Sequence, residues 1–265
     1  AICMEFLGYV ASVLVGLVLG MLGGGGSILS IPILVYLFQV EPVLASAYSL
    51  FIVGITSFVG AVPKYREHLV NLKTGIVFGI PSILAIFSTR KWIVPSIPDV
   101  LFQTESFTLT KRILVLGLFA LLMVLASFSM IRKRKENSSD NKRFRTFLVL
   151  VEGTLIGFLT GLVGAGGGFL IIPALVLLTG LNFKTAVGTS LFIIAINSLI
   201  GFLGDVLTQK IDWSFLLVIT GLAIVGILIG NVLSTKVEAT KLRKAFGWLT
   251  LVMGVFILVK ELIFS

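Results

Sequence analysis

Gly23-Gly24-Gly25-Gly26-Ser27 cuts an apolar run that begins near Phe6 and resumes at Ile28 through Phe38. The same interruption returns as Gly164-Ala165-Gly166-Gly167-Gly168 inside the apolar run from Phe147 to Leu178. A glycine inside a helix costs about 1 kcal/mol relative to alanine, so four or five small residues in succession predict a break. They permit a tight turn and a close backbone approach to a ligand or another helix. The reading that decides the fold is of two helix breaks inside a membrane, placed to hold a small anion.

Composition supports the membrane. Of 265 residues, 57% are apolar and only 12% charged, half the charge of an ordinary soluble domain. Six further stretches approach the length needed to cross a bilayer: Val43–Val62, Thr74–Ser88, Ile113–Ile131, Ala186–Leu203, Trp213–Leu233 and Phe246–Ile263. The chain reads as all-α, a polytopic membrane protein. Its net charge of +9 sits in loops, where Lys and Arg anchor the cytoplasmic side, so no nucleic-acid partner is expected. Cys3 is the single cysteine and excludes an intrachain disulfide. The N-terminal run lacks a basic leading region, and its glycine-rich part recurs, so it reads as structure and not as a signal peptide.

A shift of 141 residues lays 16–60 on 157–201 without gaps and gives 19 identities in 45 positions. They include Gly20/Gly161, Gly23/Gly164, Gly25/Gly166, Gly26/Gly167, Pro32/Pro173, Ser49/Ser190 and Ser57/Ser198. This is a duplication. Repeat 1 covers 1–131, a polar cytoplasmic linker covers 132–145, and repeat 2 covers 146–265. The stretch from Arg90 to Lys111 reads as a surface connection with an interfacial Trp92.

If each break is the tip of a hairpin that enters and leaves on one side, each half adds three crossings and the halves are inverted. The cytoplasmic loops around Lys64–Lys73, Arg132–Arg145 and Lys236–Lys244 then hold 14 of the 21 basic residues. Parallel halves would leave 12 inside and 9 outside. Positive-inside bias favours inversion. The second arm, about 12 residues from Ser27 to Phe38, is short for a full crossing.

A helix beginning at Ser27 or Gly168 offers unpaired N–H groups and the positive end of its dipole. Anions bind there without a buried Lys or Arg, and broken helices meeting near mid-membrane are a recurrent transporter plan. The candidate substrate-binding residues are Gly24, Gly25, Gly26, Ser27, Gly166, Gly167 and Gly168. Ser49, Thr56, Ser57, Thr189, Ser190, Asn197 and Ser198 could complete the hydrogen bonds, although such side chains serve equally to join helices. Gly16-x-x-x-Gly20, Gly157-x-x-x-Gly161 and Gly226-x-x-x-Gly230 read as helix-packing motifs. Lys64 and Asp205 end the corresponding crossings and are gating candidates. Glu152, in the apolar run after the linker, is the coupling candidate if it lies at depth. His68 falls in a charged loop. No His, Cys or carboxylate cluster has metal spacing, and no nucleophile has a base partner, so neither cofactor nor enzyme activity is expected.

The glycine-rich break followed by proline, the stretch Ala186-Val187-Gly188-Thr189-Ser190-Leu191, Asn197, and Ile211-Asp212-Trp213 resemble the TauE/SafE sulfite exporter family. The resemblance covers nearly the whole chain. In the first half Ala47-Tyr48-Ser49 and Val70-Asn71-Leu72 stand in for the Gly-Thr-Ser and Val-Asp-Trp-like elements. The resemblance implies movement of sulfur-containing oxyanions or organosulfonates across the bacterial inner membrane. The expected function is a secondary transporter exporting a small anion. A passive anion channel and a proton-coupled uptake permease are the alternatives, and homo-oligomerisation is left open.

Overall fold

The computed structural model describes residues 2–24, 26–98, 100–104, 107–131, 142–164, 166–207 and 209–263. Gly25, Ala165 and the linker from Arg132 to Asn141 lie outside the described residues. Among the described residues ten helices follow in order. α1 is Ile2–Leu22 and α2 is Gly26–Pro32, continued by a π-helical turn at Ile33–Leu37. α3 is Pro42–Arg66, and α4 is Leu72–Ser88, continued through a second π turn at Thr89–Ile93 as far as Ser96. α5 is Lys111–Ile131, α6 is Lys142–Val163 and α7 is Gly168–Thr179. α8 is Phe183–Val206, α9 is Trp213–Lys236 and α10 is Ala239–Ile263. Six of them (α3, α4, α5, α8, α9, α10) are long and apolar enough to cross a membrane, and they coincide with the six apolar stretches.

The all-α expectation needs one amendment. Between α4 and α5 lies an antiparallel β-hairpin, β1 (Val100–Thr104) with β2 (Phe107–Thr110). The predicted surface connection from Arg90 is also corrected: α4 continues to Ser96, and the π turn rotates Arg90 inward, where it is fully buried. Trp92 on the same turn is exposed. α6 takes in Lys142–Arg145, assigned from sequence to the linker, since Lys and Arg are good helix formers.

Four of the long helices start on a side-chain cap that accepts from the first turn. Glu41 accepts from Val43 N and Leu44 N for α3, and Asn182 from Thr185 N for α8. Asn71 accepts from Thr74 N for α4, and Asp212 from Phe215 N for α9. Both cap pairs are 141 residues apart.

α3 and α8 form the centre, with 72% of their apolar windows inside the protein against 33–44% for the other four spans. They run antiparallel: Phe51 packs on Phe202 at 5.0 Å between ring centroids, and a Cβ on Gly54 would meet Leu199. α1 lies parallel to α9, with Gly16 against Ala223 and Ile227 and Gly20 against Ile227 and Asn231. α6 lies parallel to α4, with Gly157 on Ser82 and Gly161 on Thr89. α5 pairs antiparallel with α10, joined by Arg112–Glu261 at 3.3 Å. Each half thus lends its first helix to a helix of the other half. The three small-residue motifs lie at these contacts, where missing side chains let backbones touch. Phe58, Leu84, Leu125, Leu217, Val232 and Val252 point outward, each more than half exposed. So large an apolar surface would aggregate in water but is the normal lipid-facing side of a membrane protein.

Candidate functional site

α2 turns back along α1: Gly26 packs on Val15 and Leu19, and the Phe38 ring lies against Gly8 and 5.5 Å from Tyr9. The two glycine breaks meet. A Cβ on Gly24 would fall on the backbone of Gly168, and one on Gly168 would fall on Gly24 Cα and on Ile194, midway along α8. Both positions are buried. Gly164, Gly166 and Gly167 have φ of +80°, +66° and +68°, values that L side chains rarely adopt. A Cβ on Gly166 would come 2.8 Å from Val53 and 2.9 Å from Ser198 Oγ, and one on Gly167 would strike Thr160 Oγ1.

The hydroxyls divide into two groups. On the first break they are occupied. Ser27 Oγ donates to Gly24 O at 2.6 Å, Ser30 Oγ shares a 2.6 Å hydrogen bond with Ser49 Oγ, and Ser190 Oγ donates to Val187 O at 2.8 Å. Around the second break, Ser198 Oγ and Thr160 Oγ1 are buried and make no hydrogen bond to any described residue, and the same holds for Ser57 Oγ on α3. Asn197 Nδ2 donates to Ser82 Oγ at 2.6 Å, while its Oδ1 accepts from no described residue. Thr189 is spent on structure: its Oγ1 accepts from Asn71 N at 2.9 Å, across the two halves. Tyr48, 141 residues earlier, does the same for the other half, its OH accepting from Asp212 N at 2.9 Å.

A family model described as "Sulfite exporter TauE/SafE" matches residues 9–257. The chain belongs to the TauE/SafE family. A probable membrane transporter protein of Xylella fastidiosa is 27% identical over 92% of this chain and 91% of its own length. The probable membrane transporter protein YunE of Bacillus subtilis is 27% identical over 88% and 90%. One from Methanocaldococcus jannaschii is 25% identical over 93% and 94%. No solved structure is a significant match. With six candidate spans, this TauE/SafE protein is a multi-pass inner-membrane transporter and not an enzyme.

In this TauE/SafE chain the charges at the helix ends are drawn inside. Lys64, 5% exposed, donates to Ser234 Oγ at 2.9 Å and lies 3.7 Å from Glu67. It lines a cavity of about 90 Å³ with Met21, Lys184, Val187, Ser234 and Thr235. That volume holds several waters or a small anion. Met21 and Val187 flank the first break, since Gly23 would carry its Cβ 3.0 Å from Val187. Asp205, 3% exposed, pairs with Arg90 at 3.2 Å. Loop-end charges are ordinarily solvated; here the short connections tuck both against neighbouring helices. Glu152, half-buried on α6 with a buried, unpartnered Oε2, precedes Gly164 by 12 residues, about 18 Å along a helix axis. His68 is exposed, at φ +56° in the turn closing α3. Sequence reasoning missed Arg90, Thr160 and Ser46. The signal available for Arg90 was its alignment with Asn231 under the same 141-residue shift.

Proposed function

We propose that this protein exports a small sulfur-containing oxyanion or organosulfonate, held where the two glycine breaks meet. The observation that carries the reading is the backbone contact of Gly24 with Gly168 beside the middle of the central helices, next to the buried hydroxyls of Ser198 and Thr160 that make no hydrogen bond to a described residue. Small oxyanions need several donors at short range, and bare amides at a helix start provide them without a Cβ in the way. The site consists of Gly24, Gly166, Gly167 and Gly168, with Ser57, Ser198 and Thr160 as side-chain donors. The family description as a sulfite exporter supports the substrate class.

The halves are an inverted repeat, each entering the membrane as a glycine-tipped hairpin from its own side. Antiparallel contact between the equivalent helices α3 and α8 supports this, because equivalents related by an axis along the membrane normal would run the same way. The loops bearing Lys64, Arg66 and Lys73, and Lys236 to Lys244, then face the cytoplasm. The Lys64 cavity opens toward the cytoplasm and draws anions to the first break. With the inside negative, each outward-moving anionic charge gains about 2.3 kcal/mol per 100 mV. Export therefore needs no coupling ion, and Glu152 lies too far along α6 to exchange a proton with the bound anion.

The test is a thermal-shift panel on the purified chain with sulfite, thiosulfate, sulfoacetate, taurine, sulfate and lactate, followed by exchange in proteoliposomes. Stabilisation by a sulfur oxyanion with saturable counterflow is expected. Unsaturable, purely conductive flux would replace the transporter with a channel, and no stabilisation by any anion would remove the site.

A further inference from the structure

Arg90 is fully buried in the π turn of α4, where α3, α8 and the second glycine break converge. Its Nη1 donates to Ser46 Oγ at 2.9 Å and lies 3.2 Å from Asp205 Oδ2 and 3.4 Å from Oδ1. Nε and Nη2 make no hydrogen bond to any described residue. Those two atoms form one edge of the guanidinium, with parallel N–H bonds spaced for two oxygens of a single carboxylate or sulfo group. The edge is aimed at the break, for a Cβ on Gly164 would fall on Arg90 Nη2.

Packing alone does not account for a charge here. Burying an ion pair costs several kcal/mol per ion before attraction offsets it. The repeat shows how the position is filled without charge: its counterpart Asn231 donates to Gly60 O at 3.2 Å. The same fold position is thus neutral on one side and cationic on the other, and the cation keeps a bidentate edge unused.

We propose that Arg90 is the charge that binds the substrate oxyanion at the second break, through its Nε/Nη2 edge, in competition with Asp205. This rests on the reading of the glycine breaks as the anion site. Without substrate the pair is neutral. A bound monoanion leaves two negative groups sharing one guanidinium, which weakens the hold of Asp205. That pair ties α4 of one half to α8 of the other, so its loosening frees the end of the molecule remote from the Lys64 cavity.

The experiment measures affinity for sulfoacetate and sulfite by thermal shift on the full chain in detergent, with chloride as the control salt. Arg90→Lys keeps the charge but loses the planar fork and is expected to bind both probes at least ~10-fold more weakly. Asp205→Asn removes the competitor; it is expected to bind at least ~10-fold more tightly, from a less stable starting protein. Arg90→Lys within twofold of wild type, or Asp205→Asn unchanged or weaker, overturns the proposal. If Arg90→Lys does not yield monodisperse protein, Asp205→Asn decides by itself. A wild-type chain that binds neither probe removes the anion site and this assignment together, whereas wild-type binding that neither variant alters removes Arg90 alone.

Discussion

Ser198 buries a hydroxyl that makes no hydrogen bond to a described residue, beside the Cα of Gly166. An unsatisfied buried donor costs about 1–3 kcal/mol, so a purely structural Ser198 would be better as alanine. Ser198→Ala is expected to leave the melting temperature of the anion-free protein unchanged or raise it, while weakening sulfoacetate binding about tenfold, the cost of one hydrogen bond to a charged group. Thermal unfolding with and without sulfoacetate reads both. Thr189 behaves in the opposite way. Its hydroxyl holds Asn71 N across the halves, so Thr189→Val should lower stability by about 1 kcal/mol with no change in anion affinity. From sequence, Ser198 and Thr189 were indistinguishable members of one polar group. Only their neighbours separate them, one facing a glycine break and the other the cap of α4. The departure of Tyr48 from the threonine of the second repeat also has its reason here. Both residues hold the N–H of the opposite half's capping residue, and the longer tyrosine does so for Asp212.

Helix positions and breaks were legible because they are local. Consecutive glycines pay a backbone-entropy cost that helix interior does not repay, and α1 and α6 end at Leu22 and Val163, just before the runs. The small-residue motifs were legible for the same reason, though not their partners. Gly226 lies against the backbone of Val13, whereas a Cβ on Gly221 of the same helix would meet nothing within 4 Å. Gly226→Ala should therefore push α9 off α1 and lower the melting temperature. Gly221→Ala should raise stability by up to about 1 kcal/mol through helix propensity alone. Equal effects of the two would mean that α1 and α9 do not pack as described. The reach of α4 was missed because Arg90, Lys91 and Trp92 end the apolar pattern. A single π turn then changes which of them faces inward.

At the scale of the whole molecule, the inverted arrangement proposed above would put His68 and Lys210, exposed residues one position off exact repeat equivalence, on opposite sides of the membrane. In a Cys3→Ala background, His68→Cys should react with a membrane-impermeant maleimide only from the cytoplasmic side and Lys210→Cys only from outside. Labelling of both from one side would make the halves parallel. Export of an anion, as proposed, would carry net negative charge outward. An inside-negative potential imposed on proteoliposomes should accelerate efflux of a monoanion, and an inside-positive one should slow it, in proportion to about 2.3 kcal/mol per 100 mV.

The amino-acid sequence by itself determined the membrane class, the six long spans, the duplication and the two breaks. Each follows from apolar length, glycine cost or self-similarity, and none requires knowing a neighbour. The tertiary structure decided that Gly24 touches Gly168, that α1 packs on α9 and α6 on α4, and that Arg90 faces Gly164 and not solvent. In lipid, apolarity is alike on every helix face, so close backbone packing and buried polar contacts choose the face that turns inward. Those contacts join residues more than seventy positions apart.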